Sequence, residues 1–277
     1  MSSGRVIPMP EFLPAWRLID TGALDGPENM AVDEALLTCF DPERSRPVLR
    51  FYAWAPPAFS VGRFQRAEDA VHVGRCVEAG IPVVRRLTGG GCIYHGGELT
   101  YSIVCAARHL GGNDGVKESY RRLCGFLLKA YRKLGLAPSF AVDALPDRSG
   151  LGVRTPLCYA GREEYDIMIA GRKLGGNAQR RSRGVIFQHG SIPLAQTLHD
   201  AAPFLRAPAG RWSLSLRETG AATGETEIKQ LLADSFRENL EVSLERTGLS
   251  AEEDTAAGRL LENKYLRDSW NIEGMAS

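Results

Sequence analysis

The spacing of apolar residues along the chain changes period several times, and each change marks an element. Residues 16–20 have the pattern of a short strand, and Pro27 then opens a helix to about Phe40 in which Met30, Leu37 and Phe40 recur at helical spacing. Residues 48–54 are rich in β-branched and aromatic side chains and read as a strand that stops at the Pro56-Pro57 turn. A helix is predicted over 67–79 with Gly80 as its stop, then a strand over 82–87 feeding the glycine-rich segment 88–97, then a buried strand over 99–106. The clearest helix covers 116–134. Its Val116, Tyr120, Leu123, Leu127, Tyr131 and Leu134 share one face and Gly135 ends it, so this face packs into the core and carries no site.

Residues 143–156 hold Pro, Gly, Asp, Ser and Arg without apolar periodicity, which is the signature of a loop long enough to be functional. Residues 164–170 and 172–179 flank a glycine turn and read as a hairpin, followed by a strand over 185–194. A helix is predicted over 225–247, carrying Ile228, Leu232, Phe236 and Leu240, and Ser250 with Glu253 forms a capping box that opens a last helix. Strands and helices interleave and helices finish. The class is therefore α+β (α/β), a mixed sheet packed by helices, with a helical C-terminal segment.

Composition adds bounds to this picture. A chain of 277 residues, 44% hydrophobic and 24% charged, can bury one large core or two modest ones. The formal charge of +1 selects no partner by its sign. No run approaches the roughly 18 to 20 apolar residues of a spanning helix, and residues 1–14 lack the apolar stretch of a secretory signal, so a cytoplasmic protein with no membrane partner is expected. The six cysteines are scattered without the paired spacing of a zinc site or a disulfide framework, which predicts free thiols and no metal.

Three segments carry candidate chemistry. The first runs Arg85-Arg86-Leu87-Thr88-Gly89-Gly90-Gly91-Cys92-Ile93-Tyr94-His95. Three successive glycines let backbone approach a ligand, and two arginines supply fixed cationic donors, which suits a phosphate, a carboxylate or a narrow acyl tail; a strained turn between strands is the alternative. The second, Gly171-Arg172-Lys173-Leu174-Gly175-Gly176-Asn177-Ala178-Gln179, can hold a lysine ammonium inside a cleft, although a surface lysine beside a turn has the same pattern. The third is Pro156-Leu157-Cys158-Tyr159, where a cysteine leaves a loop just before a strand and is accessible, unlike Cys124 on the amphipathic helix. A lysine ammonium a few ångströms from a thiol favours its thiolate, and such a pair suits attack on another thioester. His95 is a rival base, although a lone histidine near glycines is as often a structural or substrate-positioning residue.

These residues resemble the lipoate protein ligase, octanoyltransferase and biotin ligase superfamily. The Arg-Arg-x-Thr-Gly-Gly-Gly run with His95, the Gly-x-Lys-x-x-Gly-x-Ala-Gln run and Gln188-His189-Gly190-Ser191-Ile192 match its blocks in order, and the similarity extends from Trp16-Arg17-Leu18-Ile19-Asp20 to Lys264-Tyr265 and Trp270-Asn271. Glu98-Leu99-Thr100-Tyr101-Ser102, the Cys158-Tyr159 pair and Gln179 look most like the cysteine-dependent octanoyltransferases. The resemblance implies the catalytic fold of that superfamily over 44–248, with the strand and helix of 1–43 packed on it and 249–277 as a helical extension. It implies two-step transfer of octanoate from octanoyl-acyl carrier protein to Cys158 and then to a lysine of a lipoyl domain such as the glycine cleavage H protein, with no cofactor and no nucleic acid. Lys173 would activate Cys158. Arg86, Thr88, Gly89, Gly90, Gly91 and His95 would line the acyl pocket, and Gly176 and Ala178 would present backbone to the chain. Gly91 stands where many such transferases have arginine, and Gly176-Asn177-Ala178 is closer to the ATP-dependent ligases. An ATP-dependent lipoate ligase, an amidotransferase between lipoyl domains and a non-catalytic acyl-binding relative are the alternatives. Arg162, Arg172, Arg180, Arg181 and Arg183 gather on the hairpin, where they would attract acidic carriers or form an ordinary solvated face.

Overall fold

The computed structural model describes residues 13–112, 115–145, 150–153, 155–158, 160–207, 213–221 and 224–275. In chain order the strands are β1 (Ala15–Leu24), β2 (Val48–Trp54), β3 (Ala58–Val61), β4 (Val83–Arg85), β5 (Ile93–His95), β6 (Glu98–Ala106), β7 (Ser139–Phe140), β8 (Ile167–Ile169), β9 (Arg172–Lys173), β10 (Gly176–Ser182), β11 (Val185–Pro193) and β12 (Ser243–Arg246). The helices are α1 (Gly26–Thr38), α2 (Ala67–Ala70), α3 (Val73–Glu78), α4 (Val116–Lys133), α5 (Ala141–Ala144), α6 (Leu198–Ala201), α7 (Glu225–Leu240), α8 (Ala251–Leu260) and α9 (Asp268–Asn271).

Six strands form the main sheet in the order β10-β11-β6-β2-β1-β12. The β1 pairs are parallel and the others antiparallel, giving the mixed sheet read from the sequence. Alternation along β2 sends Leu49 and Phe51 into one core with Trp16, Phe126 of α4 and Phe236 of α7, and Val48 and Tyr52 into another with Met30 and Leu36 of α1. A small sheet, β4-β3-β5, and the three-stranded β7-β8-β9 border the main one. No helix among the described residues is long and apolar enough to cross a membrane.

Local chemistry explains the agreements. Asp25 and Glu28 cap the first helix reciprocally at 2.8 and 3.1 Å, and Ser250 and Glu253 form the box read from the sequence at 3.2 and 2.7 Å. On α4, Leu123, Leu127 and Tyr131 are buried as expected, whereas Val116 is exposed.

Three elements differ from the sequence reading, each because tertiary pairing overrides local pattern. The helix expected over 67–79 breaks at Val71 and His72: Val71 bridges Leu205, and His72 N–H donates to Phe204 O at 2.7 Å. The helix expected over 225–247 ends at Leu240, where Glu241 turns left-handed (φ 55), and Ser243–Arg246 then joins the sheet edge parallel to β1. The single hairpin expected over 164–179 is two structures. β8 and β9 pair around Ala170 and Gly171 (φ 50 and 77), the two positive φ values of a type I′ turn, and β10 then pairs with β11 in the main sheet. Gly175 (φ 81) makes the switch; a Cβ there would lie 2.2 Å from Ser191 O.

Candidate active site

A cavity of about 520 Å³, within the roughly 300–1,000 Å³ range of ligand sites, opens against the main sheet. Tyr52 and Trp54 of β2, Thr100 of β6 and Gly176 to Ala178 of β10 line it from the sheet. The glycine loop 89–91 lines it from one side and Cys158, Gly161, Glu163 and Asp166 from another.

Cys158 and Lys173 meet at this cavity, Lys173 Nζ lying 3.9 Å from Cys158 Sγ. Lys173 is 2% exposed because β9 turns it inward, and its ammonium also meets Asp166 Oδ2 at 2.7 Å, Cys158 O at 2.9 Å and Gly161 O at 3.2 Å. Burial works against the ammonium, but the charges of Cys158 and Asp166 outweigh it, so Lys173 titrates above a free lysine and is a cation at neutral pH. Asp166 is the residue that sequence reasoning missed here. It sits just before β8, and its alignment with Lys173 depends on the β8-β9 pairing.

The glycine loop positions the thiol. Cys92 N–H donates to Pro156 O at 2.8 Å and Cys158 N–H donates to Cys92 O at 3.0 Å, a short parallel bridge that fixes the cysteine loop on the glycine loop. A Cβ on Gly91 would lie 2.6 Å from Cys158 N, which explains the departure from arginine: this chain has no room for a side chain there. A Cβ on Gly176 would lie 3.0 Å from Cys158 Sγ, so the bare backbone of β10 leaves space at the sulfur. Cys92 is 2% exposed, does not line the cavity, and burial pushes its thiol up to about 12. Burial likewise raises Cys105 and Cys124 to about 12 and Cys76 to about 11, which leaves those thiols inert.

The remaining wall is a polar network under an aromatic face. His95 stacks on Trp54 (ring centroids 3.8 Å apart), and its two nitrogens hydrogen-bond Ser60 Oγ and Glu98 Oε1, both at 2.6 Å. Both nitrogens are thus engaged, which fixes the imidazole against Trp54 as part of the wall. Arg86 donates to Ser60 O (2.7 Å), Ser60 Oγ (2.9 Å), Gly89 O (3.0 Å) and Gly91 O (2.9 Å), so the guanidinium holds the glycine loop while facing the cavity. Thr88 lies behind the wall and holds His189 Nε2 at 2.7 Å. Burial keeps His189 below the ordinary imidazole range despite Asp33. Asp33 is itself held by Arg50 (2.8 Å), Ser102 (2.8 Å) and Tyr52 (2.9 Å).

The structure thus brings together Cys158, Lys173, Arg86, Gly89, Gly90, Gly91, His95, Gly176 and Ala178 around one cavity, and sets Thr88 one layer back. Arg85 does not face it. Its guanidinium donates to carbonyls of Gly62, Arg63 and Gln65 and of Trp270, Asn271 and Ile272. Of the hairpin arginines, Arg172 pairs with Glu218 at 3.1 Å and Arg180 donates to Leu87 O at 3.2 Å. Tyr159 and parts of the expected 143–156 loop (146–149 and 154) lie outside the described residues. Among the described residues no group of three or more His, Cys, Asp or Glu side chains is arranged to hold a metal ion.

Comparison with known proteins bears on this arrangement. Residues 25–241 match the family model described as lipoyl protein ligase A/B catalytic domain. The chain is 38% identical over 269 residues to a Kyrpidia tusciae protein named octanoyltransferase LipM, covering 92% of this chain and 98% of the relative. It is 33% identical over 272 residues to octanoyltransferase LipM of Bacillus subtilis, covering 93% and 98%. Among solved structures, lipoate-protein ligase A bound with ATP superposes with a TM-score of 0.81 at 24% identity, covering 94% of this chain and 100% of the other. A lipoic acid complex of a T. acidophilum protein gives 0.79 at 23%, covering 94% and 99%. These superpositions establish a shared fold, the one expected from the sequence.

Proposed function

Since the chain belongs to the lipoyl protein ligase A/B catalytic domain family, we propose that it is an octanoyltransferase of protein lipoylation that carries the acyl group on Cys158. Octanoyl-acyl carrier protein is the donor, and a lysine of a lipoyl domain, such as that of the glycine cleavage H protein, is the acceptor. The observation that carries the mechanism is the buried Lys173 ammonium 3.9 Å from Cys158 Sγ at a cavity lined by Trp54, Tyr52 and bare glycine backbone.

In the first step the sulfur attacks the donor carbonyl, the carbon–sulfur bond to the carrier breaks, and the carrier thiolate leaves and is protonated by solvent. Negative charge passes from Cys158 to the carbonyl oxygen during attack, within reach of the Lys173 cation, which is fixed before substrate arrives. The acyl chain lies along the aromatic wall, and Gly176 gives the sulfur room to carry it. In the second step the acceptor amine displaces Cys158, and the Lys173 charge favours the departing thiolate.

The same geometry argues against an ATP-dependent ligase. Asp166 and two carbonyl oxygens already surround the Lys173 ammonium, and a carboxylate 2.7 Å away repels an adenylate phosphate at that position. The test is intact-protein mass spectrometry after mixing with octanoyl-acyl carrier protein. A hydroxylamine-labile adduct of about 126 Da, lost in Cys158→Ala and kept in Cys92→Ala, is expected. No adduct, together with octanoate reaching a lipoyl domain only when ATP is present, overturns the reading in favour of a ligase.

A further inference from the structure

Transfer from Cys158 to a lysine requires a proton acceptor that the thiol and Lys173 do not supply. A lysine side chain titrates at about 10.4 and arrives as an ammonium, whereas only its free amine attacks a thioester. Two protons leave the nitrogen in all. One departs before attack, and the other as the tetrahedral adduct collapses, when the new carbon–nitrogen bond is complete and the carbon–sulfur pair returns to Cys158.

The groups around the cavity can be taken in turn. Lys173 is a cation engaged by three oxygens. Asp166 directs its Oδ2 at Lys173. His95 has both ring nitrogens in hydrogen bonds, and His189 is bonded to Thr88 with Asp33 Oδ2 3.7 Å from its other nitrogen. Glu163 differs. It lines the cavity and is exposed, and among the described residues its carboxylate has no hydrogen bond or ion pair. Its backbone is nonetheless pinned beside the reactive pair. Glu163 N–H donates to Asp166 Oδ2 at 2.7 Å, the same oxygen that meets Lys173 Nζ at 2.7 Å, and Gly161 O, two residues earlier, accepts from Nζ at 3.2 Å.

We propose that Glu163 receives the acceptor lysine, pairing with its ammonium at the cavity wall and taking the first of the two protons before the freed amine attacks the Cys158 thioester. This rests on the octanoyl-Cys158 reading. The carboxylate passes that proton to water between turnovers, and the second proton leaves directly to solvent. Loss of hydration where it lines the cavity, together with the nearby Asp166 charge, raises the titration of Glu163 above an ordinary glutamate against the pull of Lys173, which makes it a stronger base than a free surface carboxylate. Its position 163 lies in the segment that also carries Cys158 and Asp166, so thiol, ammonium anchor and proton acceptor are held by one stretch of chain.

The test separates the two half-reactions in the full-length protein. Octanoyl-Cys158 is formed from octanoyl-acyl carrier protein and followed by intact mass, then chased with a lipoyl domain over about pH 6 to 9. In Glu163→Gln the transfer to the lipoyl domain is expected to slow about a hundredfold, more than adduct formation does, and to depend more steeply on pH than in the wild type; Glu163→Asp restores part of the rate. Wild-type transfer in Glu163→Gln, or equal slowing of both half-reactions with an unchanged pH profile, overturns the assignment. A wild-type enzyme that forms no adduct overturns the thioester route and the Glu163 role with it, an outcome distinct from the other two because they leave the adduct in place.

Discussion

Alanine at Gly91 tests whether the glycine run exists to seat the cysteine loop. The added Cβ lies 2.6 Å from Cys158 N, 2.7 Å from Leu157 C and 2.8 Å from Thr155 O, all backbone atoms with no rotamer to retreat into. Ordinary contact begins at 3.4 Å, so the cysteine segment must move by about 0.8 Å. Overpacking of this kind costs about 1–3 kcal/mol, and the hydrogen bonds from Cys92 N–H to Pro156 O and from Cys158 N–H to Cys92 O contribute about 1 kcal/mol each. Release of the loop from the glycine run limits the global loss to about 2–4 kcal/mol. Catalysis suffers more: at about a hundredfold per ångström of misplacement, acylation of Cys158 slows about fortyfold. Urea denaturation and the rate of octanoyl adduct formation measure the two effects. Gly89→Ala is the control for stability, because its Cβ meets nothing within 4 Å. Acylation by Gly91→Ala within threefold of wild type, or equal destabilisation by Gly89→Ala, would refute the reasoning.

Three further outcomes follow from the same packing. Gly176→Ala crowds Cys158 Sγ at 3.0 Å without placing backbone in the left-handed region, so acylation is expected to fall about tenfold while unfolding free energy, measured in urea, changes by less than about 1 kcal/mol; a wild-type acylation rate contradicts this. Asp33→Asn removes the carboxylate partner of the fully buried Arg50 and is expected to destabilise by about 3–5 kcal/mol; a wild-type urea midpoint refutes it. His109 is held down to about 4 by burial and by Arg108, and Ala106 N–H donates to its Nδ1 at 2.9 Å. The unfolded chain therefore binds this proton first as pH falls from 6.5, so stability declines between 6.5 and about 4 and that slope disappears in His109→Gln; urea midpoints at several pH values decide.

The fold was legible wherever local chemistry and tertiary structure agree, as in the capped helices α1 and α8 and the alternating strand β2. It was not legible where a distant segment captured the chain. Nothing in the sequence near Glu241 marks a left-handed residue, since glycine is absent there, and β12 exists because β1 offers an open parallel edge. The site divides the same way. Gly89 to Gly91 and Lys173 to Ala178 are runs of consecutive residues whose composition is visible at once. Tyr52, Trp54, Thr100 and His189 reach the cavity through register, with Tyr52 opposite Thr100, Thr100 opposite Ser191 and Ala178 opposite His189. His189 lay within a recognised block but had no neighbour in sequence to give it a role; Asp33 and Thr88 supply that role in space.

Arg85 and Arg86 show why adjacent identical residues need separate accounts. Neighbours on a strand point to opposite sides, so one guanidinium at the end of β4 reaches the cavity and the other turns away. Arg86 gathers the carbonyls of Gly89 and Gly91 and thereby shapes the loop that carries Cys92 and, through it, Cys158. Arg85 instead joins the carbonyls of Trp270 and Ile272 to those of Gly62 and Gln65. Gln65 Nε2 then donates to Pro156 O at 2.7 Å, two residues before Cys158, while Gly62 packs directly on Gly90. The last helix is therefore coupled to the cysteine loop through a continuous set of hydrogen bonds. Both arginines act on the position of one sulfur, Arg86 from the cavity side and Arg85 from behind it. The sequence offered both as cationic donors of one loop and the family resemblance placed only Arg86 in the acyl pocket; strand geometry is what gives each its own target.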